Sequence, residues 1–153
     1  MVRDWGTCDG IAARVLRPLV ERNPRTRAGL VRWRRSPNPW RRRCAAVAFV
    51  SEARRGRCAR EVVTICTGLA AVPERFSQLG MGWLLREFSH ADRSRVVAFL
   101  RRHHRRVNRE ALRYAIERMP RQLQLELLAE HRAARAKQKA STDESRPPLR
   151  RTT

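Results

Sequence analysis

The chain has 153 residues, with 35 Lys and Arg against 14 Asp and Glu, and it carries a formal net charge of +21. Apolar residues make up 42%, a share close to that of globular domains, so a fully disordered chain is excluded. The length fits one domain. We expect neither a membrane span, because no apolar run approaches the roughly 18–20 residues required, nor a signal peptide.

The positive charge predicts a polyanionic partner, and nucleic acid is the commonest polyanion in a cell. Of the basic residues, 33 are Arg and two are Lys, a bias that a GC-rich bacterial genome partly explains. Residues 1–60 hold 16 Arg and four acidic residues, a net charge of +12. The N-terminal half is therefore expected to supply most of an anion-binding face.

Apolar residues recur every three or four positions along most of the chain, a spacing typical of amphipathic helices. The predicted helices cover about residues 8–22, 40–54, 58–70, 73–88, 93–104, 109–118 and 120–132, with a short apolar segment at about 26–35. Pro24 is expected to end the first helix. Asn38, Asp92 and Asn108 are the predicted caps of later helices.

The pattern predicts an all-α fold, because no stretch alternates as a strand does. Short loops between the helices indicate antiparallel pairs that stack as a HEAT-like helical repeat solenoid. A generic helical bundle remains an alternative, since the pairs share little sequence similarity. We expect a folded domain over residues 1–132 and a disordered polar tail over residues 133–153.

The four cysteines, Cys8, Cys44, Cys58 and Cys66, contain no CxxC pair. The spacing favours buried free thiols in a reducing cytosol. A zinc site needs closer ligands, and His103 and His104 lie far from every Cys in the sequence. No metal is therefore predicted.

Four segments carry residues that could do chemistry. Trp5 and Asp9 are four residues apart and share a face if the segment is helical, although a buried Trp and a solvated or capping Asp would look the same. Arg41, Arg42 and Arg43 crowd the start of a predicted helix, where cations oppose the helix dipole. An anion bound there would explain them.

The other two segments have structural explanations as well as functional ones. Gly80 and Gly82 interrupt an apolar helix at a cost of about 1 kcal/mol each relative to Ala, which indicates close approach of another backbone or a ligand. Trp83 beside them could be a core residue. Arg113 and Glu117 form an i,i+4 pair whose simplest role is helix support.

In order along the chain, these segments resemble the DNA alkylation repair family, the AlkD-like HEAT-repeat DNA glycosylases. The resemblance covers about residues 5–119 and rests on the motifs Trp5-x-x-x-Asp9, Trp40-x-x-Arg43-x-Ala45, Gly82-Trp83-x-Leu85-Arg86-Glu87 and Leu112-Arg113-Tyr114-Ala115-x-Glu117. It implies a solenoid with a basic DNA-binding groove. In the family the first motif lies near mid-chain, so the chain is expected to be shortened at its N-terminus and to lack N-terminal repeats.

The resemblance implies excision of cationic N-alkylated purines, such as 3-methyladenine and 7-methylguanine, from duplex DNA by hydrolysis of the N-glycosidic bond. Asp9 is then the catalytic carboxylate, Trp5 and Trp83 are aromatic walls for the substrate, and Arg43 is a DNA-backbone contact. Arg86 is implied as a helper near the groove. The adjacent Arg42 is predicted to bind DNA as well.

The residue types suit this chemistry. Loss of a cationic purine builds positive charge on the sugar, which a carboxylate stabilises, and indole faces attract a cationic base. No cofactor is expected. The predicted partner is double-stranded DNA with alkylated bases, bound by a monomer in the bacterial cytoplasm near the nucleoid. A non-catalytic HEAT-like nucleic-acid-binding module and an inactive fragment of the family remain the alternatives.

Overall fold

The computed structural model of the protein describes residues 4–144, and every described element is a helix or a turn. The elements are α1 Trp5–Ile11, a π-helical segment Ala12–Leu16, α2 Arg17–Arg22, α3 Pro24–Arg32, a 3-10 turn Trp33–Arg35, α4 Pro39–Val47, α5 Val50–Arg54, α6 Ala59–Ala70, α7 Arg75–Phe88, α8 Arg93–His103, α9 Arg109–Ile116 and α10 Arg121–Glu144. The all-α prediction is confirmed. None of the described helices is long and apolar enough to cross a membrane.

Side-chain caps begin most of the helices. Asn38, Asp92 and Asn108 each accept a backbone N–H at the start of α4, α8 and α9, as predicted. Asn23 does the same for α3, so Pro24 occupies the first position of a new helix as well as following the end of α2. Each cap satisfies a donor that the first turn of a helix leaves free.

The helices pack in two layers. Helices α1, α4, α7 and α9 lie side by side in chain order, and the contacts between α4 and α7 and between α7 and α9 are the most extensive in the described chain. Helices α3, α6 and α8 pack behind this row, and α10 closes the far end against α8 and α9. This is the stacking expected of a helical repeat.

The buried residues form two clusters. The larger one is the core between the two layers and includes Phe49, Ile65, Leu84 and Phe88. The smaller one, called here the N-terminal cluster, consists of Cys8, Ala12, Cys44 and Val47, with Leu16, Trp33, Trp40 and Trp83 packed against it. The N-terminal cluster fastens α1 to α4.

The first helical stretch buries only one of its apolar rows. Ala12 and Val20 are fully buried, whereas Ile11, Val15 and Leu19 keep between 37% and 53% of their surface exposed. The exposed row is an apolar stripe on the outer side of α1, the π-helical segment and α2.

The close approach expected at the α7 glycines is present. A Cβ placed on Gly82 would lie 2.7 Å from the carbonyl oxygen of Ala111, so α7 and α9 pack backbone to backbone at this point. The Cβ would overlap that oxygen, and only glycine permits this helix spacing.

Helix α10 runs past the predicted boundary at residue 133 and continues through Glu144 without a break. Residues 129–144 are rich in Ala, Glu, Lys, Arg and Gln, all strong helix formers. Their polar composition predicted disorder. Their helix propensity, and the packing of the preceding turns of α10 on α8 and α9, extend the helix instead. The predicted tail over residues 145–153 lies outside the described residues.

Candidate functional site

Asp9 and Arg43 form a bidentate ion pair that joins α1 to α4. Arg43 donates from Nε to Oδ1 of Asp9 and from Nη2 to Oδ2, both at 2.8 Å. The Asp9 side chain keeps 18% of its surface exposed and that of Arg43 keeps 8%. The pair is therefore mostly removed from solvent, with the carboxylate the more accessible partner.

Helix α7 supports the pair from the other side. The carbonyl oxygen of Phe76 accepts a hydrogen bond from Nη1 of Arg43 at 3.3 Å. A Cβ placed on Gly80 would lie 3.3 Å from Cγ of Arg43, so this glycine makes room for the arginine stem. The two glycines of α7 thus have separate roles, Gly82 toward α9 and Gly80 toward Arg43.

Arg43 stays charged in this setting. Burial opposes the charge of the guanidinium, but the hydrogen bonds and the negative charge of Asp9 outweigh burial and raise the pKa of Arg43 above its ordinary value. The site consequently holds a fixed cation against a carboxylate.

Three of the tryptophans take different positions around this pair. Trp83 is half-buried and packs against the N-terminal cluster, and the cluster residue Cys8 is the chain neighbour of Asp9. Trp40 packs on Phe76 with ring centroids 5.0 Å apart. Trp5 stands on the first turn of α1 with 61% of its surface exposed. The structure thus places Trp83 against the N-terminal cluster and leaves Trp5 open to solvent.

Arg42 occupies a structural position. Its Nε donates to the Ser77 hydroxyl at 2.8 Å, and its Nη1 donates to the carbonyl oxygens of Ser36 and Pro37 at 2.7 and 3.0 Å. Its Nη2 lies 3.5 Å from a carboxylate oxygen of Glu74, and the residue is 8% exposed. A phosphate could reach Arg42 only by displacing these partners, so its predicted contact with DNA is not favoured by this arrangement.

Arg86 lies farther along the row of helices α1, α4, α7 and α9, near the end of α7 and against α9. It contacts carboxylate oxygens of Glu87 at 2.9 Å and of Glu117 at 3.3 Å, and its guanidinium stacks over the ring of Tyr114 at 4.7 Å. The expected pairing of Glu117 with Arg113 is therefore replaced by a pairing with Arg86. This leaves Arg113 exposed.

The buried carboxyl of Glu87 lies beside Arg86 at the C-terminal end of α7. It also accepts a hydrogen bond from Nη1 of Arg54 at 2.9 Å. Burial would raise its pKa, but the hydrogen bonds from Arg54 and Arg86 outweigh burial and hold the pKa of Glu87 below its ordinary value.

A groove of about 640 Å³ continues beyond Tyr114 between α9 and α10 and is lined partly by Arg109, Arg113 and Arg121. All three arginines are exposed. None of the three was predicted as a DNA contact, although the spacing of four residues between Arg109 and Arg113 was a signal that they share a face of one helix.

The described residues contain no group of three or more side chains of the kinds that hold a metal ion. The site contains a carboxylate paired with a buried arginine and an indole that packs against the N-terminal cluster. Exposed arginines lie farther along the row of helices. These groups can bind phosphates and stabilise a developing positive charge.

A family model described as DNA alkylation repair enzyme matches residues 1–119. The match covers most of the chain and contains every residue of the site except Arg121. The chain therefore belongs to the DNA alkylation repair enzyme family, which identifies it as an enzyme of DNA repair. Neither a curated protein nor a solved structure matches it.

Proposed function

We propose that the protein is a DNA glycosylase that releases cationic N-alkylated purines, such as 3-methyladenine and 7-methylguanine, from duplex DNA. The observation that carries the proposal is the carboxylate of Asp9, positioned by Arg43 within the region that matches the repair family.

The carboxylate acts on the sugar. An N-alkylated purine already carries a positive charge, so it leaves with its bonding electron pair without first being protonated. The sugar left behind develops oxocarbenium character, and the negative charge of Asp9 stabilises it and orients the water that attacks C1′. Water supplies the hydroxyl of the product sugar, and the proton that water loses passes through the Asp9 carboxylate to solvent.

Arg43 has two roles in this scheme. In the free protein it holds the Asp9 carboxylate in place through two charge-assisted hydrogen bonds. When DNA approaches, the phosphate beside the lesion competes with Asp9 for the guanidinium, which frees carboxylate lone pairs for the sugar. The contact between Arg43 and DNA thus requires a rearrangement of the pair.

The aromatic and basic groups set selectivity and affinity. The indole of Trp83 attracts a cationic base more than a neutral one, an effect of about 0.5–2 kcal/mol. Trp5 is exposed and free to contact the substrate. Arg109 and Arg113 hold the phosphate backbone along the groove between α9 and α10, and this contribution falls as salt rises.

The test is release of free 7-methylguanine and 3-methyladenine from methylated duplex DNA, measured by mass spectrometry. The proposal expects release by the native chain and its loss in Asp9→Asn with DNA affinity retained. Glu130→Gln is the matched control. Glu130 accepts two hydrogen bonds from Arg101 in a second bidentate ion pair, which joins α8 to α10. This control should leave release unchanged.

A second candidate is a non-catalytic nucleic-acid-binding protein of the same fold. It is favoured by one observation: both oxygens of Asp9 are already occupied by Arg43, as in a structural ion pair. It predicts a folded chain that binds alkylated and unmodified duplexes equally and releases no base. Release by the native chain excludes it.

A further inference from the structure

Cys8 and Cys44 place two thiols in contact inside the N-terminal cluster. Their Sγ atoms are 3.2 Å apart, and the residues are 0% and 6% exposed. Cys8 lies on α1 and Cys44 on α4, so the contact crosses between elements that are 36 residues apart in the sequence. Cys8 directly precedes Asp9 and Cys44 directly follows Arg43, so the thiols adjoin the ion pair.

The surroundings make the two thiols unequal. The Sγ atom of Cys8 also lies 3.4 Å from the carbonyl oxygen of Trp40, and the Sγ atom of Cys44 lies 3.7 Å from the carbonyl oxygen of Cys8. The contact between the two thiols lowers the pKa of Cys44, while the same contact, together with burial, raises the pKa of Cys8. Cys44 is therefore the more readily ionised of the pair, and the thiolate is the form that oxidants attack.

The other two cysteines differ. Cys66 is fully buried in the main core, and burial raises the pKa of its thiol. Cys58 is half-buried beside the same core, and burial raises its pKa too. They provide internal controls within the same chain.

We propose that Cys8 and Cys44 are a redox-responsive pair that a peroxide converts to a disulfide, which joins α1 to α4 beside Asp9 and Arg43. This inference concerns a covalent modification and does not depend on the proposed glycosylase activity. A disulfide requires the sulfurs to close from 3.2 Å to about 2.05 Å, a movement that side-chain rotation and a small helix shift can supply.

The reaction balances with hydrogen peroxide as the oxidant. The Cys44 thiolate attacks one peroxide oxygen, the O–O bond breaks, and the products are a sulfenic acid on Cys44 and one water. Cys8 then attacks that sulfur, its proton passes to the departing hydroxide, and a second water leaves. Two thiols and one peroxide thus give one disulfide and two waters.

The disulfide stabilises the attachment of α1. It closes a loop across 36 positions, which restricts the unfolded chain. For a protein of this size we expect the oxidised form to melt roughly 5–15 °C higher than the reduced form. Because α1 carries Asp9, oxidation keeps the carboxylate against Arg43 at temperatures where the reduced α1 detaches.

The link can be mapped in the native chain. After brief treatment with hydrogen peroxide and alkylation of the remaining thiols, a trypsin digest without reductant should release residues 4–14 joined to residues 44–54. Cys58 and Cys66 should be recovered in alkylated peptides. Dithiothreitol should separate the joined peptides and return the melting temperature to its starting value.

Variants complete the test. Cys58→Ser should keep the link and the rise in melting temperature, whereas Cys8→Ser and Cys44→Ser should lose both. Recovery of residues 4–14 and 44–54 only as separate peptides, a sulfinic acid on Cys44, or a link that involves Cys58 would overturn the proposal. The peptide mapping decides the matter even if a serine variant folds poorly.

Discussion

Removing the negative charge of Asp9 should lower the free energy of unfolding, in addition to its effect on activity. The reason is that Asp9 is the partner of a buried arginine. Asp9→Asn leaves Arg43 charged with only 8% of its side chain exposed, and one of its two oxygen acceptors becomes an amide donor that faces it. Charge-assisted hydrogen bonds contribute about 1.5–3 kcal/mol each, and breaking a buried pair costs about 3–5 kcal/mol. Since Asp9 keeps some solvent contact and Asn retains one acceptor, we expect a loss of about 2–4 kcal/mol.

Urea denaturation of four proteins measures this value. They are the native chain, Asp9→Asn, Arg43→Met and the double variant. Each single variant should lose stability, and the double variant should be clearly more stable than the sum of the two losses predicts, with a coupling of about 1.5 kcal/mol or more. The melting temperature of Asp9→Asn should fall by roughly 5–15 °C. If Asp9→Asn stays within about 0.5 kcal/mol of the native chain, or the coupling is absent, the pair does not hold α1 on α4.

Three further predictions concern packing, pH and DNA. Gly82→Ala should destabilise by about 2 kcal/mol or more in urea, because its Cβ meets a backbone oxygen at 2.7 Å, whereas Gly29→Ala, with open space around it, should stabilise by about 0.5–1 kcal/mol; equal effects would refute the packing between α7 and α9. The pKa of Glu87 is depressed in the fold, so its contribution is present above the ordinary value of 4.5 and is lost as pH falls through the folded value; Glu87→Gln should flatten the decline in melting temperature below pH 4.5, and an unchanged decline would contradict this. Arg113→Gln should weaken duplex binding and reduce the slope of log affinity against log salt by about 0.9; an unchanged slope would remove Arg113 from the DNA interface.

Local features of the fold could be predicted from the sequence because neighbours in the chain determine them. The caps Asn38, Asp92 and Asn108 were predicted and are present. The close approach at Gly82 was also predicted, since a glycine that interrupts an apolar helix needs a packing reason. The break after Val47 was not, because residues 40–54 keep one apolar periodicity across it.

The partners of the charged residues could not be predicted, because they depend on packing between distant elements. Asp9 and Arg43 are 34 residues apart, and no local rule joins them. Arg42 and Arg43 looked like a surface cluster but became buried when α7 packed on α4. Glu117 had a partner four residues away in the sequence, yet it contacts Arg86 across the gap between helices.

Single-turnover excision of 7-methylguanine shows whether Asp9 acts on the damaged nucleotide. The assay uses an excess of protein over methylated duplex at a temperature where every variant is folded. The lower stability of Asp9→Asn therefore does not affect the measured rate. We expect a rate for Asp9→Asn about a hundredfold or more below that of the native chain, while Glu130→Gln excises at the native rate. Equal rates for Asp9→Asn and the native chain, or no release by a folded native chain that binds the duplex, would contradict it.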